Sequence, residues 1–485
     1  MQRLRLLLGI VSLSLIALLS GPAVSANVAV LKISQDPFTN STSQHATEVE
    51  PDTFSAGSTI VSAFQVGRFF DGGSSDIGFA TSSNSGATWP GGFLPGMTTF
   101  STPPGPFDRV SDPSVTFDAR HNVWLISSLP LLNTAAAPLG AAALVSRSTN
   151  GGMSWGNPVT IASATGGSDL DKNWSVCDNT PSSPFFGSCY TEYDDFGNGN
   201  QVHVAFSRDG GLTWTEGALP SQGVIGGQPV VQPNGTVVMP IDNAFETAVL
   251  AFTSTNGGAS WSGPVTIARI RDHNTAGGLR SGPLPTAEID AAGKVYVVWS
   301  DCRFRRGCKS NDLVLSTSTD GLAWTAPARI PIDATSSTAD HFIPGLAVDK
   351  STSGSTAHLG LTFYFYPETA CTAATCQLNV GFTSSTDGGA TWGAATQLQG
   401  PMTLSWLANT SQGRMVGDYI STSFAGGLAH GVFAVANPPV GTVFDEAMYT
   451  PATGLAAAVA AAVANDPVVS NASDHQDRTQ RSARR

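Results

Sequence analysis

Short runs in which apolar and polar residues alternate make up most of this chain. The clearest runs place apolar residues at every second position: Trp124 and Ile126; Val202, Val204 and Phe206; and Val295, Val297 and Trp299. A period of two predicts β-strands whose apolar side chains share one face. Glycine, proline and asparagine turns separate the runs, and helical periodicity is nearly absent. The pattern therefore predicts an all-β fold.

A single corner motif recurs between the predicted strands, with the pattern Ser-x-Asp/Asn-x-Gly-x-Ser/Thr-Trp. Copies begin at Ser82, Ser148, Ser207, Ser254 and Ser385, and a form one residue shorter begins at Ser318. The Asp or Asn oxygen accepts hydrogen bonds from nearby backbone amides, Gly takes a positive φ, and Trp packs beside the turn. Each copy predicts a hairpin, and their near-regular recurrence predicts a β-propeller of four-stranded blades.

The repeats also divide the chain into units. Six units end at a corner motif, and a seventh without one covers about residues 413–449. This arrangement predicts seven blades, or six if the first and last segments complete one blade together. We expect the propeller to span residues 27–452. Residues 453–485 are Ala-rich and then polar and charged, which predicts a flexible tail.

The N-terminal 26 residues are typical of a secretory signal peptide. Arg3 and Arg5 precede a short apolar run, and Val24-Ser25-Ala26 supplies small residues for cleavage. We therefore expect a secreted protein, extracellular or periplasmic, and no later apolar run is long enough to span a membrane. The formal net charge of −12 argues against a nucleic-acid partner or an anionic membrane surface, because both need a basic face.

Six cysteines fall into three close pairs, Cys177/Cys189, Cys302/Cys308 and Cys371/Cys376. Export permits disulfides, and the local pairing favours three bridges over free thiols. Neither the cysteines nor the histidines have metal-ligand spacing, so we expect no metal and no cofactor. The acidic segment 192–195, with Asn198 and Asn200, offers oxygen ligands for calcium but lacks the EF-hand pattern, which favours a polar loop.

The corner motifs resemble the Asp boxes of the sialidase (neuraminidase) superfamily, the BNR-repeat proteins, and this resemblance covers most of the chain. Segment 58–68 resembles the first-blade strand that leads to an arginine. The resemblance implies that Arg68 contacts the ligand and that Asp71 is the general acid/base. Arg109-Val-Ser-Asp112-Pro113 resembles the second-blade Arg-x-x-Asp-Pro motif, which implies that Asp112 lines a sugar pocket.

Two further segments extend the resemblance. Arg303, in Trp299-Ser-Asp-Cys-Arg303, occupies a place suited to an arginine that binds a sugar carboxylate. Gly417-Asp418-Tyr419 resembles the segment that carries the tyrosine nucleophile, with Glu288 or Asp301 as candidate activators. Four of these residues also have a structural interpretation: Asp71 and Asp112 as turn residues, Tyr419 as a buried strand residue, and Arg303 as part of a solvated loop.

The resemblance implies an exo-sialidase type of glycoside hydrolase that acts on glycoconjugates or polysaccharides. In this chemistry arginines bind the sugar carboxylate, an aspartate protonates the leaving oxygen, and a neutral tyrosine attacks. The family's Phe-Arg-Ile-Pro motif is replaced by residues 45–51, however, and residues 361–380 contain no arginine. Two alternatives therefore stand: a non-catalytic propeller that binds glycan or protein, and a polysaccharide lyase. The oligomeric state is left open.

Overall fold

A computed structural model describes residues 28–458 of the chain. The predicted signal peptide and most of the predicted tail lie outside the described residues. Within them the chain is all-β, with strands in antiparallel sheets and a few 3-10 turns. None of the described helices is long and apolar enough to cross a membrane.

The strands are numbered here in chain order. The first half of the chain forms β1 Val30–Lys32, β2 Glu48–Ala56, β3 Thr59–Arg68, β4 Ser74–Ser82, β5 Gly91–Phe93, β6 Arg109–Asp118, β7 Val123–Asn133, β8 Pro138–Gly140, β9 Ala142–Ser148, β10 Val159–Ser163, β11 Leu170–Cys177, β12 Cys189–Asp195, β13 Gln201–Ser207, β14 Thr215–Glu216, β15 Val224–Ile225, β16 Val230–Val231 and β17 Val237–Asn243. The second half forms β18 Ala248–Ser254, β19 Val265–Arg269, β20 Thr286–Ile289, β21 Val295–Asp301, β22 Asp312–Ser318, β23 Ala328–Arg329, β24 Asp340–Val348, β25 Leu359–Tyr366, β26 Gln377–Ser385, β27 Thr396–Thr403, β28 Ala408–Thr410, β29 Gly413–Met415, β30 Ser421–Ala425, β31 Leu428–Val440, β32 Val443–Pro451 and β33 Leu455–Ala456. The 3-10 helices are Phe196–Asn198, Ala276–Gly278, Arg306–Cys308, Gly354–Thr356 and Leu404–Trp406.

Strands β28 and β29 form a small sheet of their own, and the other strands form seven antiparallel units. Units 1 to 6 consist of β2–β5, β6–β10, β11–β14, β15–β19, β20–β23 and β24–β27. Units 1 and 2 are joined into one sheet by a single pair, Ser74 with Val110. Unit 7 contains β30, β31 and β32 and takes β1 as its last strand, with Val30 opposite Pro451. The two ends of the described chain therefore complete the same sheet.

The first strands of the units contact one another in a closed sequence. We call them the inner strands: β2, β6, β11, β16, β20, β24 and β30. Each inner strand contacts the next, and β30 contacts β2. Because strands within a unit are antiparallel, the loops between second and third strands lie at the end where the inner strands begin. We call this end the mouth.

The corner motifs lie at the opposite end, between the third and fourth strands of units 1 to 6. At the first corner, Asn84 Oδ1 accepts a hydrogen bond from the Thr88 amide at 3.0 Å, and Ser82 Oγ accepts one from the Gly86 amide at 2.8 Å. The predicted side-chain to backbone hydrogen bonds are present at the other five corners as well. These contacts satisfy the amides of each turn.

The apolar core is divided into clusters that lie between neighbouring units. One cluster joins units 1 and 2 around Ile77 and Ile126, and another joins units 4 and 5 around Val238 and Val297. In β21 the predicted face of Val295, Val297 and Trp299 is buried, and so are Tyr296 and Val298 on the other face. The units are thus covered on both sides, which an alternating pattern alone does not predict.

Two other predictions can be compared with the structure. All three predicted disulfides are present, Cys177–Cys189, Cys302–Cys308 and Cys371–Cys376. The polar-loop prediction for segment 192–195 is wrong, because these residues belong to strand β12 and are buried. Their acidic side chains are accommodated inside the sheet, with Asp194 accepting a hydrogen bond from Asn200 at 2.9 Å.

We expect Gly152→Ala to destabilise the protein by about 2 kcal/mol or more, because two effects combine. Gly152 has φ 80°, and an added Cβ would lie 2.5 Å from Val61 Cγ2. The matched control Gly151→Ala has a similar φ of 78° but no atom within 4 Å of the new Cβ, so it should cost only about 1 kcal/mol. Urea unfolding measures both values, and equal losses would contradict the packing of this corner on unit 1.

Candidate functional site

The inner strands share an irregularity near their mouth ends. Strands β2, β6, β11 and β24 each contain a register shift, at which Glu50, Asp112, Lys172 and Ile343 adopt φ values between 39° and 56°. A bulge of this kind redirects one side chain out of the regular alternation. Three of the four redirected side chains are charged, and they meet one another at the mouth.

Lys172 is the centre of this arrangement. Its ammonium group lies 2.9 Å from Asp112 Oδ1, 2.8 Å from Asp418 Oδ2 and 3.7 Å from Glu50 Oε1. The Lys172 side chain is only 7% exposed. Burial alone would lower the pKa of Lys172, but the three carboxylates raise it well above its ordinary value. Lys172 is therefore a buried permanent cation that holds four units together.

A second cation reaches the same carboxylates from the loop before β20. Arg280 binds Asp418 with two nitrogens, and its Nε lies 2.7 Å from Asp418 Oδ1. Burial would raise the pKa of Asp418, but Arg280 and Lys172 lower it well below its ordinary value. Burial raises the pKa of Glu50, and the neighbouring Asp112 raises it further. We call Glu50, Asp112, Lys172, Arg280 and Asp418 the mouth network.

Tyr419 lies beside this network but is turned away from the mouth. Its hydroxyl donates a hydrogen bond to the Pro113 carbonyl at 3.1 Å, and its ring contacts Trp174 edge-on. Burial raises the pKa of Tyr419 well above its ordinary value, and nearby carboxylates, Glu50 first, raise it further. Tyr419 is therefore a neutral phenol whose hydroxyl is held by a backbone carbonyl in this arrangement.

Arg68 and Asp71 lie at the mouth end of unit 1. Arg68 is buried, and its Nη1 donates to the Gly73 carbonyl at 2.8 Å and to Gln65 Oε1 at 3.3 Å. Asp71 has a half-exposed side chain that accepts a hydrogen bond from Arg109. Burial would raise the pKa of Asp71, but Arg109 lowers it, so Asp71 is ionised at neutral pH and is not a proton donor there. Arg109 also lies over the Phe69 ring at 4.3 Å.

Four of the five predicted site residues are thus brought together: Arg68, Asp71, Asp112 and Tyr419. Electrostatic interactions link Arg68 with Asp112, Arg68 with Asp71 and Tyr419 with Asp112.

Arg303 is not part of this group. Its guanidinium binds Asp301, with Nε 2.9 Å from Oδ1, and donates to the Arg269 carbonyl. No contact among residues 28–458 joins it to the mouth network.

The two proposed activators of Tyr419 also lie elsewhere. Asp301 is occupied by Arg303, by the amides of Arg271 and Arg303 and by the Trp299 indole. Glu288 lines a cavity inside the ring of units. Among the described residues, the carboxyl groups that act on Tyr419 are those of Glu50, Asp112, Asp52 and Asp418. The Tyr419 hydroxyl donates to the Pro113 carbonyl rather than to any of these carboxyl groups.

One group of described side chains is close enough to hold a metal ion: Asp312, Asp333 and His341. Two guanidinium groups already bind these carboxylates, from Arg305 in the Cys302–Cys308 loop and from Arg329. A further cation would be repelled, so the cluster is an ion-pair network that anchors the loop.

Exposed apolar side chains lie on the mouth loops, or on the strand ends beside them, of five consecutive units, 7 and 1 to 4. They are Val440, Phe70, Leu132, Phe196 and Phe245, with exposed fractions from 38% to 82%. The corresponding loops of units 5 and 6 carry the disulfides Cys302–Cys308 and Cys371–Cys376 instead. We call the five exposed apolar side chains the rim. The mouth therefore has the apolar rim on one side and two disulfide-closed loops on the other.

Lys172, Glu50 and Arg280 were not predicted as site residues. A recurring signal pointed to the inner strands, because a residue followed by proline occurs near the start of most of them. The dipeptides are Glu50-Pro51, Asp112-Pro113, Gln228-Pro229, Leu284-Pro285 and Ile343-Pro344. Lys172 is followed by Asn173, and Asp418 is followed by Tyr419. These two members of the mouth network therefore lack the proline that follows the other residues.

The sequence matches no family model and no curated protein. Several solved structures are similar to the chain. The Hadza microbial sialidase Hz136 has 14% identity and a TM-score of 0.44 over 84% of this chain and 66% of its own. A protein of unknown function from Dyadobacter fermentans has 15% identity and a TM-score of 0.47 over 74% and 99%. Trypanosoma rangeli sialidase in complex with sialic acid has 14% identity and a TM-score of 0.46 over 76% and 60%.

These similarities share three properties. Every TM-score lies below 0.5, every identity is at most 15%, and the chain spans less than two thirds of the T. rangeli enzyme. Values in this range carry no information about activity or substrate.

We expect Lys172→Met to destabilise the protein by about 3–5 kcal/mol, because it leaves Asp112, Asp418 and Glu50 together with one fewer cation. The control is Lys32→Met, which removes an ion pair with Asp445 whose side chains are 43% and 45% exposed. Exposed pairs of this kind contribute less than about 1 kcal/mol. Guanidinium unfolding distinguishes the two variants, and a loss at Lys172 as small as that at Lys32 would show that the mouth network does not hold the units.

Stability should also fall as the pH rises from about 4 to about 8. Burial raises the pKa of Glu48 and of Asp52 to about 7 and that of Asp76 to about 8. A carboxyl with a raised folded-state pKa contributes stability that is complete below its unfolded pKa, near 4, and is lost as the pH passes the folded value. Each such proton contributes a slope of up to about 1.4 kcal/mol per pH unit.

Asp76→Asn tests this dependence. The variant removes the highest of these three pKa values and should flatten the decline between pH 7 and 8. Unfolding free energies at closely spaced pH values measure the slope for both proteins. A stability that rises with pH across this window would contradict the burial of these carboxyl groups.

Proposed function

We propose that this chain is a secreted, sialidase-like β-propeller of seven blades that binds glycans at its mouth without cleaving them. The blade number is supported by the closed sequence of inner-strand contacts and by one cavity that residues from all seven inner-strand segments line. Secretion is supported by the N-terminal sequence and by three disulfides, which form in oxidising compartments.

The absence of turnover is supported chiefly by the mouth network. Arg280 and Lys172 both bind carboxylates of the chain itself, so neither is available to hold a sugar carboxylate. Tyr419 donates its hydroxyl to a backbone carbonyl, and Asp71 is an ionised partner of Arg109. Lys172, Arg280, the Tyr419 hydroxyl and the Asp71 carboxylate are thus each engaged in another contact.

Binding is supported by the rim. Apolar side chains at loop ends offer faces for sugar rings, and Phe70 stands directly before the half-exposed carboxylate of Asp71. A carboxylate beside an aromatic ring can accept hydroxyl hydrogen bonds while the ring contacts the C–H face of the sugar.

An exo-glycosidase is the second candidate, because one observation favours it. Arg68, Asp71, Asp112 and Tyr419 all lie in one electrostatic neighbourhood, in the chain order that the resemblance implies. Catalysis would require Tyr419 to leave the Pro113 carbonyl and approach a carboxylate able to accept its proton.

A glycan array with the full chain, followed by hydrolysis assays, separates the candidates. We expect binding of specific glycans that Phe70→Ala weakens about tenfold or more, and no release of 4-methylumbelliferone from sialosides or neutral glycosides. Leu212→Ala is the matched control, because Leu212 and Phe70 are each 52% exposed and lie at opposite ends of the units.

The other outcomes are equally decisive. Release of 4-methylumbelliferone that Tyr419→Phe and Asp71→Asn abolish would overturn the binding proposal in favour of the hydrolase. A new ultraviolet absorbance with polyuronates would favour a lyase. No binding to any glycan, or equal losses for Phe70→Ala and Leu212→Ala, would exclude the mouth as a glycan site.

A further inference from the structure

A cavity of about 480 Å³ lies inside the ring of inner strands, beyond the mouth network. Its lining begins just past the bulges, at Asp52, Trp174 and Ile420, each two residues after a member of the network. It continues to the far ends of the inner strands and to the loops that follow them, including Pro181 and Lys350. The network therefore separates this cavity, which we call the axial cavity, from the mouth.

Several polar groups in the axial cavity have no hydrogen-bond partner among the described residues. The Trp174 indole N–H makes no hydrogen bond there. The Gln228 side chain is 6% exposed, and its oxygen accepts from the Ala287 amide at 2.9 Å while its amide nitrogen remains free to donate. Lys350 lies 4.4 Å above the Phe54 ring, and its ammonium group makes no ion pair within 4 Å.

Glu288 supplies the complementary acceptor. Its carboxyl group lines the cavity, accepts from the Ile289 amide and interacts electrostatically with Lys350. Three unused donors, one carboxyl acceptor and the rings of Trp174 and Phe54 thus line one cavity. Most other polar groups in the lining are already engaged, as Ser55 is with the Phe424 carbonyl and Ser421 with the Thr53 carbonyl.

We infer that the axial cavity is a binding site for a mono- or disaccharide, which enters from the end of the corner motifs. The volume lies in the range of small-molecule sites, which combine apolar walls with a few directed polar groups. A sugar ring offers apolar C–H faces to Trp174 and Phe54, and its hydroxyls both accept from Trp174, Gln228 and Lys350 and donate to Glu288. A purely apolar ligand would leave these groups unsatisfied, and a simple anion would be repelled by Glu288.

This inference is independent of glycan binding at the mouth, because the two sites share no residue. The mouth acts through loops between second and third strands, whereas the axial cavity uses the inner strands past their bulges. A substitution at the mouth therefore tests only the mouth, and a substitution in the axial cavity tests only the axial cavity.

Isothermal titration of the full chain with a panel of free sugars tests the inference. The panel contains glucose, N-acetylglucosamine, glucuronic acid, maltose and diacetylchitobiose. We expect one or more of them to bind with a stoichiometry of one. Glu288→Gln and Lys350→Met should each weaken that binding about tenfold, equivalent to the loss of one directed polar contact.

Two controls keep the result specific. Lys294→Met removes another lysine that lies over a ring, 4.8 Å from the Tyr296 centroid, but Lys294 does not line the cavity and its loss should leave affinity unchanged. Phe70→Ala, at the mouth, should also leave it unchanged. Thermal unfolding of each variant verifies that the fold is intact.

The contrary results are clear. Absence of binding across the panel, or binding that Glu288→Gln and Lys350→Met leave intact, would overturn the inference and indicate a cavity that holds only water. Loss of free-sugar binding in Phe70→Ala but not in Glu288→Gln would place the site at the mouth instead.

Discussion

The positive charge of Lys172 has to be neutralised inside the ring, and this requirement determines how the inner strands meet. An isolated ammonium group at 7% exposure would be prohibitively unstable, so Asp112, Asp418 and Glu50 must approach it from three other units. The bulges that direct these side chains inward put Glu50, Asp112 and Lys172 at positive φ, at a cost of about 1 kcal/mol or more each. The geometry of the mouth is therefore defined by charge pairing more than by apolar packing.

The same pairing separates two regions with different chemistry. On one side, saturated charges and an exposed apolar rim form a surface suited to recognition. On the other side, unused donors and a carboxyl group line a cavity. The two cations of the network are bound by carboxylates of the chain itself, which suits them to holding the units together.

The sequence predicted features that depend on local chemistry. A corner motif carries its own hydrogen bonds, so the hairpins at Ser82 and Ser385 could be located without knowledge of their neighbours. The same holds for the disulfides, which close loops of 5 to 12 residues. Arg68, Asp71, Asp112 and Tyr419 could be selected as candidates because short motifs surround them. Lys172 could not be identified in this way, because its partners lie 60 and 246 residues distant along the chain. Arg303 was misplaced for a related reason: its neighbour Asp301, two residues away, binds it locally.

The pairing of strand β1 with β32 affects the order in which the protein can assemble. Because Val30 pairs with Pro451, the last sheet contains strands from both ends of the described chain. During synthesis the amino-terminal strand is therefore made first and paired last, after more than four hundred intervening residues have emerged. Until then unit 7 lacks its outer strand, and β32 presents an open edge that invites pairing with other chains. Pairing of β1 with β32 is the contact of longest sequence separation in this sheet, and such contacts are the slowest to form.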